Sequence, residues 1–214
     1  MKSFDYLTSK RAEARGEEVV FRKLYFGEEN VIFPKLENTV NQVNKRKSVR
    51  HFADNKIPKE SIDTMVEVCR PFVTELEYFE IYFFSFNTEG LESGLYKVIF
   101  KNSSVTKLNF NDYNRKSVCN LIAGMPASMS SALTLFITCD FKAAINDIQE
   151  TACLRRVFVE SGMLMQRIIN GFNLYNIFGV PSPALSDSDV KNILIDTADQ
   201  YNWPIYSCAL GFKK

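Results

Sequence analysis

The chain has 214 residues, of which 46% are hydrophobic, with 26 basic against 25 acidic side chains. That length forms one main core, and the balanced charge argues against a large nucleic-acid footprint or a general membrane-surface role. Five widely spaced cysteines with no CxxC pair, and one histidine, His51, argue against a Cys/His zinc site, so no metal is expected.

In chain order, residues 1–35 read as an N-terminal arm. The stretch opens polar and holds two short apolar runs, Val19-Val20-Phe21 and Val31-Ile32-Phe33, before Pro34. Such an arm is expected to pack on something else, for instance a second subunit. Residues 36–214 form the domain proper. Leu36, Val40 and Val43 fall at helical spacing. The cluster Arg46-Lys47-Ser48-Val49-Arg50-His51-Phe52 follows at once. Arg supplies paired planar donors, Lys a point charge and Ser a hydroxyl, and exposed N–H groups of a turn complete a phosphate cradle. The competing reading is a solvated charge run at a helix end.

Pro58 opens a helix over Lys59 to Cys69, with Ile62, Met65, Val66 and Cys69 on its apolar face and Pro71 as its stop. Strands are predicted over Tyr78–Phe86, Leu95–Lys101 and Ser104–Phe110. Asp112 caps a helix that runs to Gly124, and Ala132–Cys139 is the clearest central strand. The longest helical pattern runs from Ala152 to Ile177, about 40 Å. Its apolar stripe is Leu154, Val157, Phe158, Ser161, Leu164, Met165, Ile168, Phe172 and Tyr175. Gly162 and Gly171 within it allow close approach of another helix or of a flat ligand. Gly179 to Ala184 reads as a rigid loop. Ser186 with Asp189 resembles a capping box for a helix to Ile195, and Pro204–Phe212 is the last strand before Lys213 and Lys214.

This order predicts an α+β fold, an antiparallel or mixed sheet flanked by helices with one long central helix. No GxGxxG, P-loop, HExxH or GxSxG occurs. Scattered thiols, no apolar signal stretch at the start and no run long enough to span a bilayer lead to the expectation of a cytoplasmic protein with no membrane contact.

These motifs resemble the nitroreductase-like FMN flavoprotein superfamily. The opening Arg-x-Ser-x-Arg-x-Phe stands at Arg46 to Phe52 and is followed by Ile57-Pro58 and a helix. Further matches resemble its azoline dehydrogenase branch, the thiazole/oxazole-forming, streptolysin-type enzymes. They are Gly90-Leu91-Glu92-Ser93-Gly94-Leu95-Tyr96, Glu160-Ser161-Gly162-Met163-Leu164-Met165-Gln166 and the closing Ala209-Leu210-Gly211. The likeness spans residues 36–212. It implies a dimer with FMN at its interface. Arg46, Lys47, Ser48 and Arg50 would hold the phosphate and ribityl chain, and Lys213 would add a phosphate contact. Backbone N–H groups of the loop that includes Pro181, Ser182, Pro183 and Ala184 would lie near the flavin. The reaction implied by the branch removes two electrons from a peptide azoline to give the aromatic azole, and an FMN oxidoreductase acting on a small electron-poor substrate is the other expectation.

Three stretches depart from the branch pattern. Arg70 to Glu75 lacks its Pro-Ser-x-Gly, Asn146 to Glu150 lacks its Lys-Tyr pair, and Asn173 to Asn176 replaces its Gly-Leu-Gly. The catalytic residues are therefore not assigned. Tyr96, Tyr175 and Glu160 are candidate proton carriers, with an internal hydrogen-bonding role the simpler account of Glu160. His51 reads as a donor or surface residue, and Cys153 and Cys208 as core thiols. Two functions remain open, an FMN-dependent oxidoreductase and a degenerate, non-catalytic subunit of the same fold that partners a peptide-modifying complex. The clustered cations favour the first, because a partner without flavin gains little from them.

Overall fold

The computed structural model describes residues 48–108, 113–148, 153–195 and 201–214. The arm at residues 1–35, the helix expected at 36–45, Arg46, Lys47 and the Asp112 cap lie outside the described residues.

Helix α1 (Lys59–Leu76) leads into β1 (Phe79–Ser85), β2 (Gly94–Ile99) and β3 (Ser104–Lys107). Then come α2 (Arg115–Leu121), β4 (Leu133–Asp140), α3 (Phe141–Ile148) and α4 (Cys153–Asn173). Strand β5 (Ile177–Ser182), α5 (Asp187–Leu194) and β6 (Asn202–Phe212) complete the order. The strands form one six-stranded sheet, β3-β2-β1-β4-β6-β5, and every pairing is antiparallel. The α+β class and the flanked sheet are as expected, with the antiparallel alternative realised.

Strand alternation divides the sheet into two faces. Ile81 and Phe83 on β1, Leu133, Leu135 and Ile137 on β4, and Cys208 and Leu210 on β6 meet α1 and α4 in the larger core. Tyr82, Phe84 and Phe136 point the other way and pack with Val118 and Leu121 of α2 and Val190 and Leu194 of α5. β1 and β4 are buried along almost their whole length because both faces are covered. Their sequences are accordingly runs of aromatic and branched residues rather than alternating ones.

Several elements differ from expectation. Pro71 does not stop α1, which continues to Leu76 and ends at Glu77 in the left-handed region at φ 49°. Thr74 Oγ1 donates to the Arg70 carbonyl at 2.7 Å in the turn that follows the proline. α2 is capped by Asn114, whose side chain accepts from the Ser117 N–H. α3 was not anticipated; Asp140 Oδ1 accepts from the N–H groups of Lys142 and Ala143 and starts it. α4 ends at Asn173, and the stretch read as a loop from Gly179 lies largely in β5, paired with β6.

The two glycines of α4 have different surroundings. A Cβ on Gly171 would lie 3.4 Å from the Met65 Cα, so this glycine sets how closely α1 and α4 cross, whereas a Cβ on Gly162 would meet nothing within 4 Å. Gly171→Val is therefore expected to destabilise the protein by about 1–3 kcal/mol. Gly162→Ala should leave stability unchanged or raise it by up to about 1 kcal/mol. Chemical denaturation of the two variants checks the contrast, and equal losses would contradict this packing account.

Candidate cofactor-binding site

The basic stretch is placed by its one large apolar residue. Phe52 is 4% exposed and packs with Ala127, Val180 and Ala209. It sits on Gly211, where a Cβ would come within 2.8 Å of the Phe52 Cγ. Burying such a ring contributes about 1.5–3 kcal/mol. The backbone fixes the register. Phe52 bridges Lys213 in antiparallel fashion, the Ala53 N–H donates to the Phe212 carbonyl at 2.8 Å, and the Phe52 N–H donates to Ser130 Oγ at 3.1 Å. Residues from the two ends of the described chain are thereby set side by side.

Ser48, Arg50 and Lys213 are all exposed. Among the described residues neither Arg50 nor Lys213 takes part in an ion pair. A hydroxyl, a guanidinium and an ammonium around a buried aromatic anchor make a donor set that fits a phosphate. The N–H groups of Phe52 and Ala53 are already engaged, so those two backbone donors do not add to the set. Gly211 appeared in the sequence only as part of a closing motif, and its physical role is the space it leaves for Phe52. Ser130 carried no sequence signal, since its contact spans 78 positions.

The second predicted group sits further along β6. Val180 pairs with Ala209 and Ser182 with Ser207, so alternation puts Val180 and Ser182 on the same sheet face as Gly211 and Lys213. Ser182 lies six positions down β6 from Lys213, about 20 Å at the rise of an antiparallel strand. The two groups therefore mark two ends of an elongated surface, not one point. Pro183 and Ala184 are exposed. Pro181 and Pro183 have no N–H, and the Ala184 N–H donates to Ser182 Oγ at 3.2 Å. This segment thus offers fewer free backbone donors than the resemblance implies.

The candidate proton carriers are each tied into the fold. Tyr96 donates to the Glu92 carbonyl at 3.0 Å, and burial is the main cause that raises its phenol. The Tyr175 hydroxyl is 2.8 Å from Thr64 Oγ1. Glu160 is 6% exposed, accepts from the Tyr78 hydroxyl, and pairs with Arg156 Nε at 2.8 Å. His51 is exposed. All five cysteines are buried; burial pushes the Cys69 thiol up to about 12 and raises those of Cys139 and Cys153. They are core thiols, not nucleophiles. No group of three or more metal-binding side chains occurs among the described residues, and none of the described helices is long and apolar enough to cross a membrane.

No family model and no curated protein matches the sequence. Solved structures do match. A protein of Anabaena variabilis described as a nitroreductase superposes with a TM-score of 0.71 at 20% identity, over 84% of this chain and 39% of that one. The chain thus spans well under half of that relative. The NADPH:FMN oxidoreductase of Vibrio harveyi gives 0.58 at 15% identity, over 83% of this chain and 69% of that one. A chain of the E. coli microcin synthetase complex McbBCD, solved with truncated pro-MccB17 bound, gives 0.63 at 16% identity, over 96% of this chain and 82% of that one. With its antiparallel sheet between helices and its long α4, the chain has the nitroreductase fold.

Proposed function

We propose that the protein is an FMN-dependent oxidoreductase that dehydrogenates a peptide of the azoline type or acts on a small electron-poor molecule. The observation that carries this reading is the corner where Arg50 and Lys213, 163 positions apart in sequence, stand exposed beside the buried Phe52. Arg50, Lys213 and Ser48 would hold the FMN phosphate, with Arg46 and Lys47 as further donors. Bound FMN supplies two-electron redox chemistry that the side chains lack. The segment Pro181, Ser182, Pro183 and Ala184 would border the ring end. A peptide substrate is favoured by the microcin synthetase likeness, which takes in 96% of the chain against 83–84% for the two oxidoreductases.

A dimer, with a second copy or a homologue, fits one further feature. Leu154, Phe158, Val159 and Met163 form an exposed apolar strip on α4, although Leu154 and Phe158 were expected in the core. A second reading is a degenerate subunit that keeps the fold and partners a peptide-modifying complex. It is favoured by the internal engagement of Tyr96, Tyr175 and Glu160, which leaves no evident proton carrier among them.

Purification decides between them. The oxidoreductase reading expects a yellow protein that releases FMN on denaturation, and an Arg50→Ala, Lys213→Ala variant that loses it. Two charge-assisted contacts of about 1.5–3 kcal/mol each correspond to a loss of at least about a hundredfold in affinity. A colourless protein that FMN cannot reconstitute leaves the partner reading.

A further inference from the structure

Beyond Phe52 the chain runs on to Ile57, and this segment is held by a residue that lies far away in sequence. Arg115, in the first turn of α2, makes three contacts with three separate segments. Its Nε donates to the Ser131 carbonyl at 2.9 Å, its guanidinium lies 5.6 Å from the Phe86 ring centroid, and its Nη2 is 3.4 Å from Asp54 Oδ1. Asn87 Nδ2 donates to the same Asp54 oxygen at 3.2 Å. The Ile57 N–H donates to the Asn87 carbonyl at 2.9 Å.

The contacts differ in strength. Asp54 is largely exposed, with a side chain 84% accessible, so its pairing with Arg115 alone is worth little. What makes the contact effective is that the guanidinium is already oriented. The Ser131 carbonyl and the Phe86 face fix its plane and leave one edge turned to Asp54, so little further side-chain entropy is lost on pairing. Ser131 directly follows Ser130, which accepts from the Phe52 N–H. The same short turn therefore contacts the basic stretch directly through Ser130 and indirectly through Arg115. Asp54 lies four residues after Arg50, about 13 Å of extended chain.

We propose that Arg115 is a positioning residue for the cofactor-phosphate site. It immobilises residues 50–57 through Asp54 and so sets where Arg50 presents its guanidinium. This use of the latch rests on the FMN reading above, whereas the latch itself does not.

Hydrogen exchange of the flavin-free protein tests the latch. In Arg115→Ala the amides of Phe52 and Ala53 should exchange about tenfold faster while those of β4 stay unchanged. Arg115→Lys should behave likewise, because an ammonium cannot serve the Ser131 carbonyl, the Phe86 face and Asp54 together. Asp54→Asn, which keeps the accepting oxygen, should retain most of the protection. Asp54→Ala should lose it, with no further loss when combined with Arg115→Ala. Unchanged exchange in Arg115→Ala, or additive losses in the double variant, overturns the proposal. Where wild type binds FMN, Arg115→Ala should weaken it by about three- to tenfold. An unchanged affinity would overturn the positioning role. Failure of wild type to bind FMN would instead overturn the cofactor reading and leave the exchange result to judge the latch.

Discussion

Gly211→Val is expected to abolish flavin binding and to destabilise the fold by about 1–3 kcal/mol, the range for overpacking a filled site. The added Cβ would fall 2.8, 2.9 and 3.0 Å from the Cγ, Cβ and Cδ1 of Phe52. The near side of that ring belongs to its rigid end, so it cannot swing clear. Phe52 would have to leave its place on Ala127, Val180 and Ala209. With it would go the Phe52–Lys213 bridge and the juxtaposition of Arg50 with Lys213. Thermal or denaturant unfolding gives the first effect and an FMN titration the second. Gly211→Val that still binds FMN as wild type does would show that the anchor does not position the cations. A Phe52→Ala, Gly211→Val pair should lose little more binding than either change alone, because both act on one contact.

Glu160→Ala is expected to cost about 2–4 kcal/mol of stability, toward the lower part of the range for a broken buried charge pair because Arg156 is partly exposed. Glu160 lies in the middle of α4 yet accepts from Tyr78 just before β1 and from Arg156 one turn earlier, which ties the long helix to the sheet. Glu160→Gln separates this tie from a catalytic role. The amide still accepts a hydrogen bond but carries no proton of use at neutral pH. A structural Glu160 predicts a moderate loss of stability with turnover retained in the folded fraction. Normal stability with lost turnover would make it a proton carrier.

The elements that were legible in the sequence are those whose signal is local. The Ile62-Met65-Val66-Cys69 face of α1, the aromatic run of β1 and the apolar stripe of α4 each report burial through periodicity within one element. Errors arose where the deciding partner is distant. Leu154 and Phe158 match the helical period but are exposed, whereas Met165, Ile169 and Phe172, further along the same side of α4, are buried. Gly179 and Pro181 look like loop residues, yet Gly179 is a strand residue whose Cβ would fall 2.8 Å from Cys208 Sγ. Pro181 is tolerated because β5 is an edge strand.

The same distinction holds within the site. Residue type pointed to Ser48 and Arg50 as phosphate donors, and the family resemblance added Lys213. The contacts that position them were not visible, since Gly211, Ser130 and Arg115 act across 60 to 160 positions and carry no motif of their own. Ring-end chemistry was the least legible part. Candidate proton carriers are recognised by type, but whether they are free is decided by neighbours such as Thr64 and Glu92, which only the fold supplies.

In the proposed oxidoreductase the corner formed by Arg50, Phe52 and Lys213 holds the phosphate of FMN. Calorimetric titration of the flavin-free protein with FMN and with riboflavin, which differ only by that phosphate, tests it most directly. FMN is expected to bind at least about a hundredfold tighter than riboflavin, with the difference largely removed in Arg50→Ala, Lys213→Ala. Equal affinity for the two ligands, or no binding of FMN at all, would contradict it.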